Sequence, residues 1–370
     1  MKNKKNSKIW LILSSISALT TILPLAAISC DHKVKQNSKE NKEDLKPDEN
    51  KPESKPENPT KEDDSNPDQN KPESKPESKP ENPNKEEDSS NLNKSFKFEL
   101  TKSNTWKIAK YIGNDSKVTI PKEYQGKNIT EIGNRAFFNS VIQSITIPGS
   151  VKEIGKYAFS GCRNIKELIL NEGLEKIGAG AFSDTNIKSI TIPGSVKEIG
   201  ADAFYDIGIE SITIPGSVKE IGEGAFSGCR NIKEVILNEG LEKIGTEAFN
   251  HTNIKSITIP GSVKEIGGGA FSECHSLEKV ILNEGLEKIG GYAFLYTNIE
   301  SITIPGSVKE IGDGAFSHCY GLKEVILNEG LEKIGNWAFD YTPVKSITIP
   351  GSVKEIGVEA FYIANIIYKH

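Results

Sequence analysis

Ile187-Lys188-Ser189-Ile190-Thr191-Ile192-Pro193-Gly194-Ser195-Val196-Lys197-Glu198-Ile199-Gly200 returns, with small changes, every 22 or 23 residues from the first third of the chain to its end. An Ala-Phe pair marks each copy, with Phe at 137, 159, 182, 204, 226, 249, 271, 294, 316, 339 and 361. Such a period is the mark of a solenoid, in which one unit cannot bury its apolar face alone and stacking must do so. Within the stretch, Ser189-Ile190-Thr191-Ile192 alternates hydroxyl and apolar residues, the period of a strand with one buried face. Pro193 ends that strand, Val196 and Ile199 bury the next segment, and Ala-Phe supplies core filler on an expected helical turn that closes the coil. Gly200 recurs as Gly133, Gly155, Gly178 and Gly222 and in every later copy, which points to a left-handed backbone or a tight approach between coils.

Two versions of the coil mostly alternate. A Pro-type coil carries Ile-Pro-Gly-Ser, and an Asn-type coil reads Ile165-Lys166-Glu167-Leu168-Ile169-Leu170-Asn171-Glu172-Gly173-Leu174-Glu175-Lys176-Ile177-Gly178. Together they make a 45-residue double repeat. Stacked, Lys152-Glu153, Glu175-Lys176 and Lys197-Glu198 give columns that alternate in sign, each opposite pair contributing roughly 0.2–1 kcal/mol. One junction breaks the rule, because two Pro-type coils follow each other and set Lys197 beside Lys219 and Glu198 beside Glu220. That junction is the expected weak point.

The remainder of the chain differs in kind. Met1 to Lys8 carries four lysines and no acid, and Ile9 to Leu25 is an apolar run. The sequence Ala26-Ala27-Ile28-Ser29-Cys30 closes it and resembles a bacterial lipobox, with Ala27 where Leu is usual. The resemblance implies a signal peptide over residues 1–29, cleavage between Ser29 and Cys30, and a diacylglycerol with further acyl chains, such as palmitate, on Cys30. Two or more chains hold a protein stably where one does not. An uncleaved anchor is the alternative, since about 20 apolar residues also span a bilayer; the polar stretch beginning at Asp31 favours cleavage. The expected location is the extracellular face of the cell membrane, by a lipid anchor.

Residues 30–94 are mostly Lys, Glu, Asp, Pro, Asn and Ser, with near-copies such as Asn50-Lys51-Pro52-Glu53-Ser54 and Asn70-Lys71-Pro72-Glu73-Ser74. With almost nothing to bury, this stretch is expected to be a disordered tether, reaching on the order of 45 Å if flexible and roughly 200 Å if polyproline-like. A net charge of -5 with both signs interleaved argues against a nucleic-acid partner.

The pattern Leu/Ile-x-x-Ile-x-Ile-Pro-x-x-Val-x-x-Ile-Gly-x-x-Ala-Phe-x-x-Cys resembles the BspA-like class of bacterial leucine-rich repeats, over residues 95–370. The resemblance implies a curved parallel solenoid: a cap and first coil over 95–132, repeats over 133–361 and a C-terminal cap over 362–370. At ~4.8 Å per strand, eleven coils span on the order of 50 Å. It also implies adhesion roles for a surface lipoprotein, and the loose lipobox with the Lys, Asn and Ile bias suggests a mollicute.

Cys162, Cys229, Cys274 and Cys319 all fall three residues after the repeat Phe, two or three coils apart. That is roughly 10–14 Å at strand spacing, too far for a disulfide, whose alpha carbons lie within about 7 Å. Packing is therefore their expected role, and the family pattern also carries Cys there. His275 and His318 beside two of these cysteines do not converge on one ion, so no metal or other cofactor is expected. Glu172, Glu239, Glu284 and Glu329 are too far apart to work as an acid and base pair. No catalytic residues, and no small-molecule substrate, are expected.

Outward strand positions form the expected binding face: Thr146, Ile169, Thr191, Thr213, Ile236, Thr258, Ile281, Thr303, Ile326 and Thr348. A second column, Ser144, Glu167, Ser189, Ser211, Glu234, Ser256, Lys279, Ser301, Glu324 and Ser346, runs beside it. Ile and Thr also simply suit strands, so a solvated sheet is the competing reading. An aromatic rim of Tyr157, Tyr205, Tyr292, Tyr296, Trp337, Tyr341 and Tyr362 is the competing site. The functional expectation is an interaction protein that binds an extracellular host or bacterial protein; display without a specific ligand is the alternative.

Overall fold

The computed structural model describes residues 91–361 and 365–369. The expected signal peptide, the Ser29–Cys30 junction, most of the tether and Tyr362 lie outside the described residues. Residues 91–95 form a single helical turn that joins the cap: Leu92 packs on the core and the Tyr124 hydroxyl donates to Asn93 Oδ1 at 2.9 Å. The cap therefore begins a few residues before the expected boundary at 95.

Two sets of parallel strands run along the solenoid. Short strands, such as Glu153–Ile154, Lys176–Ile177 and Glu198–Ile199, pair without a break from coil to coil in a 14-stranded sheet. The cap hairpin Phe96–Leu100 with Trp106–Tyr111 starts this sheet antiparallel and then feeds into Lys127–Ile132 in parallel. Between the two strand sets lies a core of fully buried columns, among them Val196, Val218, Leu241 and Val263, with the repeat Phe rings. The rings stack from coil to coil, as Phe159 on Phe182 at 5.2 Å between centroids and Phe204 on Phe226 also at 5.2 Å. Such a contact adds ~0.5–1.5 kcal/mol beyond burial of the ring.

The invariant glycine serves close approach, the second of the two expected reasons. Gly200 is not left-handed, but a Cβ there would stand 2.6 Å from Ala179 N and 2.8 Å from the Gly178 carbonyl carbon. The coils touch backbone to backbone along this column.

Around each Ala-Phe the chain corrects the expected helical turn. Ala136 and Phe138 N–H groups donate back to Gly133 and Arg135, but Arg135, Phe137 and Asn139 donate to Lys156, Ala158 and Ser160 of the next coil. An α-helix would keep every one of these donors for itself. The alternation is made by left-handed residues two before and two after each Phe from 137 to 339, such as Arg135 and Asn139 at φ 56° and 57°, or Gly224 and Gly228 at 58° and 75°. The segment thus consists of successive turns whose spare N–H groups tie neighbouring coils.

A second correction concerns the quoted stretch itself. Ser189–Ile192 forms no strand, although its equivalents Ser144–Ile147, Ser211–Ile214, Ser256–Ile259, Ser301–Ile304 and Ser346–Ile349 do. Beyond the first sheet, in which Lys117–Thr119, Ser144–Ile147 and Glu167–Leu170 make three strands, the long strands pair in twos, each Pro-type strand with the coil that follows it, as Ser211–Ile214 with Glu234–Leu237. In these pairs the Asn N–H closes the ladder, Asn238 donating to Ile214 O at 3.2 Å and Asn283 to Ile259 O at 3.3 Å. The next Pro-type coil has Pro260 or Pro305 at that place, without an N–H to give Leu237 or Leu282, and the ladder stops. Ser189–Ile192 lies after an Asn-type coil and before another Pro-type coil, and it has no strand partner on either side.

A side chain bridges the places where this ladder fails. The Glu172 carboxylate accepts N–H bonds from Gly194 (2.9 Å) and Ser195 (3.1 Å) of the following coil. Glu239, Glu284 and Glu329 repeat the clamp on Gly261-Ser262, Gly306-Ser307 and Gly351-Ser352. Coils are therefore joined alternately by main-chain strand pairing and by a carboxylate clamp.

Candidate functional site

The outward stripe is present, in segments. Ile169, Ile236, Ile281 and Ile326 are 42%, 46%, 41% and 45% exposed. Each lies in register beside a threonine: Thr146 with Ile169, Thr213 with Ile236, Thr258 with Ile281, and Thr303 with Ile326. Thr146 is half-buried and the other three threonines are exposed. Thr348 pairs with Ile367, which extends the stripe by one residue, whereas Thr191 is exposed on a stretch that forms no strand. Between the pairs the strand ladder is interrupted and slots form, tied at the charged end by single bonds such as Glu300 N–H to Glu278 O at 3.2 Å. One such slot is lined by Val280, Ile281 and Leu282 on one side and by Ser301 and Thr303 on the other, with Glu278, Lys279 and Glu300 at its end.

In the second column, Ser144 Oγ donates to Glu167 Oε2 at 3.1 Å. One position further out is a column that the sequence reading passed over: Lys166, Lys188, Glu210, Lys233, Lys255, Glu278, Glu300, Lys323 and Lys345, all exposed. Its signs follow the strand pairing. Across the strand-paired junctions opposite charges are neighbours, Glu210 with Lys233, Lys255 with Glu278 and Glu300 with Lys323; across the junctions without a strand ladder like neighbours like, except at Lys188 and Glu210. The signal lies in the sequence, but it has meaning only once the paired and unpaired junctions are known.

On the other face the short-strand charge columns form the expected bridges. Glu175 Oε2 sits 2.8 Å from Lys197 Nζ, Lys176 Nζ 3.0 Å from Glu198, and Lys219 Nζ 2.8 Å from Glu242. The carboxyl of Glu175 is held below the usual range by its hydrogen bond and charge pairing with Lys197, and that of Glu332 likewise by Lys354. Glu198 raises the Lys176 ammonium in turn. All are exposed pairs, each worth little alone.

The four repeat cysteines are free, buried and separate. Cys162 Sγ contacts Phe137 O at 2.9 Å, and Cys274 Sγ contacts Phe249 O at 3.1 Å. Threonines alternate with them in the column: Thr252 Oγ1 lies 3.2 Å from Cys274 Sγ and Thr297 Oγ1 3.1 Å from Cys319 Sγ. Burial pushes the thiols up, Cys162 and Cys274 to about 11 and Cys229 and Cys319 to about 12. His275 is engaged by Glu273 and the Tyr296 carbonyl, and the His318 ring stacks on Tyr341 at 4.6 Å. Among the described residues no group of three or more His, Cys, Asp and Glu is placed to hold a metal ion. Glu172 and its equivalents, which the sequence reading found too dispersed for acid and base work, are the backbone clamps described above.

The aromatic rim divides into two columns. Tyr157, Tyr292 and Trp337 occupy the left-handed place before Phe, at φ 55°, 57° and 54°. Tyr157 and Tyr292 lie over Gly180 and Gly314 of the next coil, where a Cβ would strike the ring. Tyr296 and Tyr341 occupy the left-handed place after Phe, with His318 between them, and Tyr205 stands exposed one residue after Phe204. Tyr157, Tyr205, Tyr292, Trp337 and Tyr341 remain as exposed as the isoleucines of the strand face, although the first and third lean on the next coil.

Stacked coils, two strand sets and a core of repeated apolar columns define a parallel β-solenoid repeat protein. The chain belongs to the BspA type leucine rich repeat family, whose repeat region matches residues 98–207, 197–323 and 289–368. No curated protein matches it. Among solved structures it is similar to a leucine-rich repeat protein from Bacteroides ovatus, at 24% identity and a TM-score of 0.54, over 74% of this chain and 89% of that one. A leucine rich cell surface protein from Faecalibacterium prausnitzii is similar at 26% identity and a TM-score of 0.53, over 75% and 93% of the two chains.

Proposed function

We propose that this protein is a surface lipoprotein, anchored through acyl chains on Cys30, whose solenoid binds macromolecules of a host or neighbouring cell. The observation that carries the binding role is the row of Ile169, Ile236, Ile281 and Ile326, large apolar side chains held outward on a rigid repeat. Rigid parallel repeats with one exposed face are built for extended contacts. The similarity to a cell surface protein of Faecalibacterium prausnitzii and the lipobox Ala27-Ile28-Ser29-Cys30 support the location. The proposal includes no catalysis: the carboxylates and thiols that repeat along the chain are occupied in holding coils together.

Pulldown from extracellular matrix tests the face, comparing the protein with a variant that carries Ile→Glu at 169, 236, 281 and 326. Binding that the variant loses supports the reading, and equal binding by both removes the face. Metabolic labelling with a fatty acid, lost in Cys30→Ser, tests the anchor. The near-identity of the coils favours a second reading, display of variable unit number without a ligand; capture of nothing by either protein supports it.

A further inference from the structure

The outer charge column is self-complementary when the solenoid is turned end for end. Along the axis it reads plus at Lys166 and Lys188, minus at Glu210, plus at Lys233 and Lys255, minus at Glu278 and Glu300, and plus at Lys323 and Lys345. A two-fold axis parallel to the strands, set midway between Ser256–Ile259 and Lys279–Leu282, keeps each column facing itself while reversing the coil order. Lys255 then meets Glu278 of a second copy, Lys233 meets Glu300, and Glu210 meets Lys323. By symmetry each pair occurs twice, giving six opposite contacts against two like ones, both between Lys188 and Lys345. Shifting the axis to the neighbouring junctions or coils leaves fewer opposite contacts.

The apolar stripe obeys the same operation. Ile281 comes to face Thr258, Ile236 faces Thr303 and Ile326 faces Thr213, so the three central isoleucines each meet a threonine methyl, and only at the far ends does Ile169 face Ile367. The like charges at these junctions also find an explanation: Glu278 and Glu300 repel where a single backbone bond of 3.2 Å, but no strand ladder, joins their coils, and Lys255 and Lys233 of a second copy neutralise both. Isologous pairing of this kind requires only one self-matching patch.

We infer that the long-strand face docks a second copy of this chain, antiparallel and face to face, centred between Thr258 and Ile281. The inference deepens the proposed function by naming an occupant for that face. Six coils at ~4.8 Å and strands of four residues give about 400 Å² per copy, half the ~800 Å² of a standard interface. The pairing is therefore transient in solution and sensitive to salt.

A zero-length carbodiimide crosslinker applied to a mixture of isotope-labelled and unlabelled full chains tests it. Within one chain Lys233 and Glu300 lie three coils apart and Glu210 and Lys323 five, roughly 14 Å and 24 Å, too far to join directly. Mixed-isotope crosslinks Lys233–Glu300 and Glu210–Lys323 are expected. The double variants Lys233→Glu/Lys255→Glu and Glu278→Lys/Glu300→Lys each should lose copy-to-copy crosslinking at the central coils by at least ~tenfold. Mixing the two variants should restore association, because all six central contacts then join opposite charges. Crosslinks confined to neighbouring coils of one chain, or association that the double variants leave unchanged, would overturn the inference. Should copies stay apart while the isoleucine variant still loses matrix binding, the face keeps its proposed role and only the second copy is removed as its occupant.

Discussion

Glu198 lies directly opposite Glu220 in the short-strand sheet, and the clamp, the long-strand ladder and the alternation of charge that join other coils are weakened or missing beside them. Their lysines turn away, Lys176 to Glu198 and Lys243 to Glu220, while Lys197 and Lys219 turn outward to Glu175 and Glu242. The Lys219 N–H reaches Lys197 O at 3.5 Å, whereas the equivalent Lys197–Glu175 and Lys264–Glu242 bonds are 2.8 Å. Gly194 stands where a clamping glutamate stands in Asn-type coils, and the long strand is absent. The Phe204–Phe226 stack, the Gly200–Gly222 approach, the Ser217 hydroxyl on Val196 O at 2.6 Å and the turn bonds from Asp202, Phe204 and Asp206 N–H to Glu223, Ala225 and Ser227 O continue unaltered.

Hydrogen exchange checks this seam. In a solenoid each coil leans only on its neighbours, so one poor junction lowers protection locally. Amides of residues 193–222 are expected to exchange faster than those of 260–289, where clamp, ladder and charge columns are complete. Equal protection would show that the charge columns and clamps matter little.

The clamps make a pH prediction. Backbone N–H bonds from Gly306 and Ser307 hold the Glu284 carboxyl below its ordinary 4.5. A folded value below the unfolded one means that the stabilisation is present above pH 4.5 and is lost as pH falls through the lower folded value. Thermal melts of Glu284→Gln against the natural chain should differ at neutral pH and converge on acidification. A constant difference down to the acid limb would rule out the ionised clamp.

How far the sequence revealed all this depends on whether a residue's role is set within its coil. Val196, Ile199 and Phe204 announce themselves because burial follows the period, and all three are in the core. Ser189–Ile192 shows the reverse: its alternation matches the strands at 211 and 256, but those strands form against a following coil with an N–H at the Pro193 place, and the coil after Ser189–Ile192 has Pro215 there. The same holds for Glu172, whose partners Gly194 and Ser195 belong to the neighbouring coil. The turn at Ala-Phe was misread as helical because Gly, Asp, Tyr and Trp share its left-handed places, which hides the positional rule.

The thiols give a third test. Raised to about 12 by burial, Cys229 and Cys319 stay protonated, and thiolate is the reactive form. Raising a thiol's value on folding adds stability that is complete below the unfolded value of 9.0 and lost as pH rises through the folded one. Iodoacetamide at pH 8 is expected to leave Cys162, Cys229, Cys274 and Cys319 unlabelled in the native chain and to label them after denaturation. Labelling of native Cys319 would show that its coil opens.

The invariant glycine column supplies the sharpest substitution. At Gly267 an added Cβ would stand 2.5 Å from Thr246 N and 2.6 Å from the Gly245 carbonyl carbon, both main-chain atoms that cannot swing aside. Gly194 also has ordinary φ, but its nearest neighbours are the Glu172 carboxylate oxygens at 3.7 and 4.0 Å. Gly267→Ala must push two coils apart against their ladder, and a cost of about 1–3 kcal/mol is expected. Gly194→Ala meets only ordinary contacts and should lie within ~0.5 kcal/mol of the natural chain. Denaturant titration of both separates close approach from backbone freedom as the reason for the glycine. Equal stability of the two variants would mean that coils can spread without penalty, which a column of main-chain contacts this short does not permit.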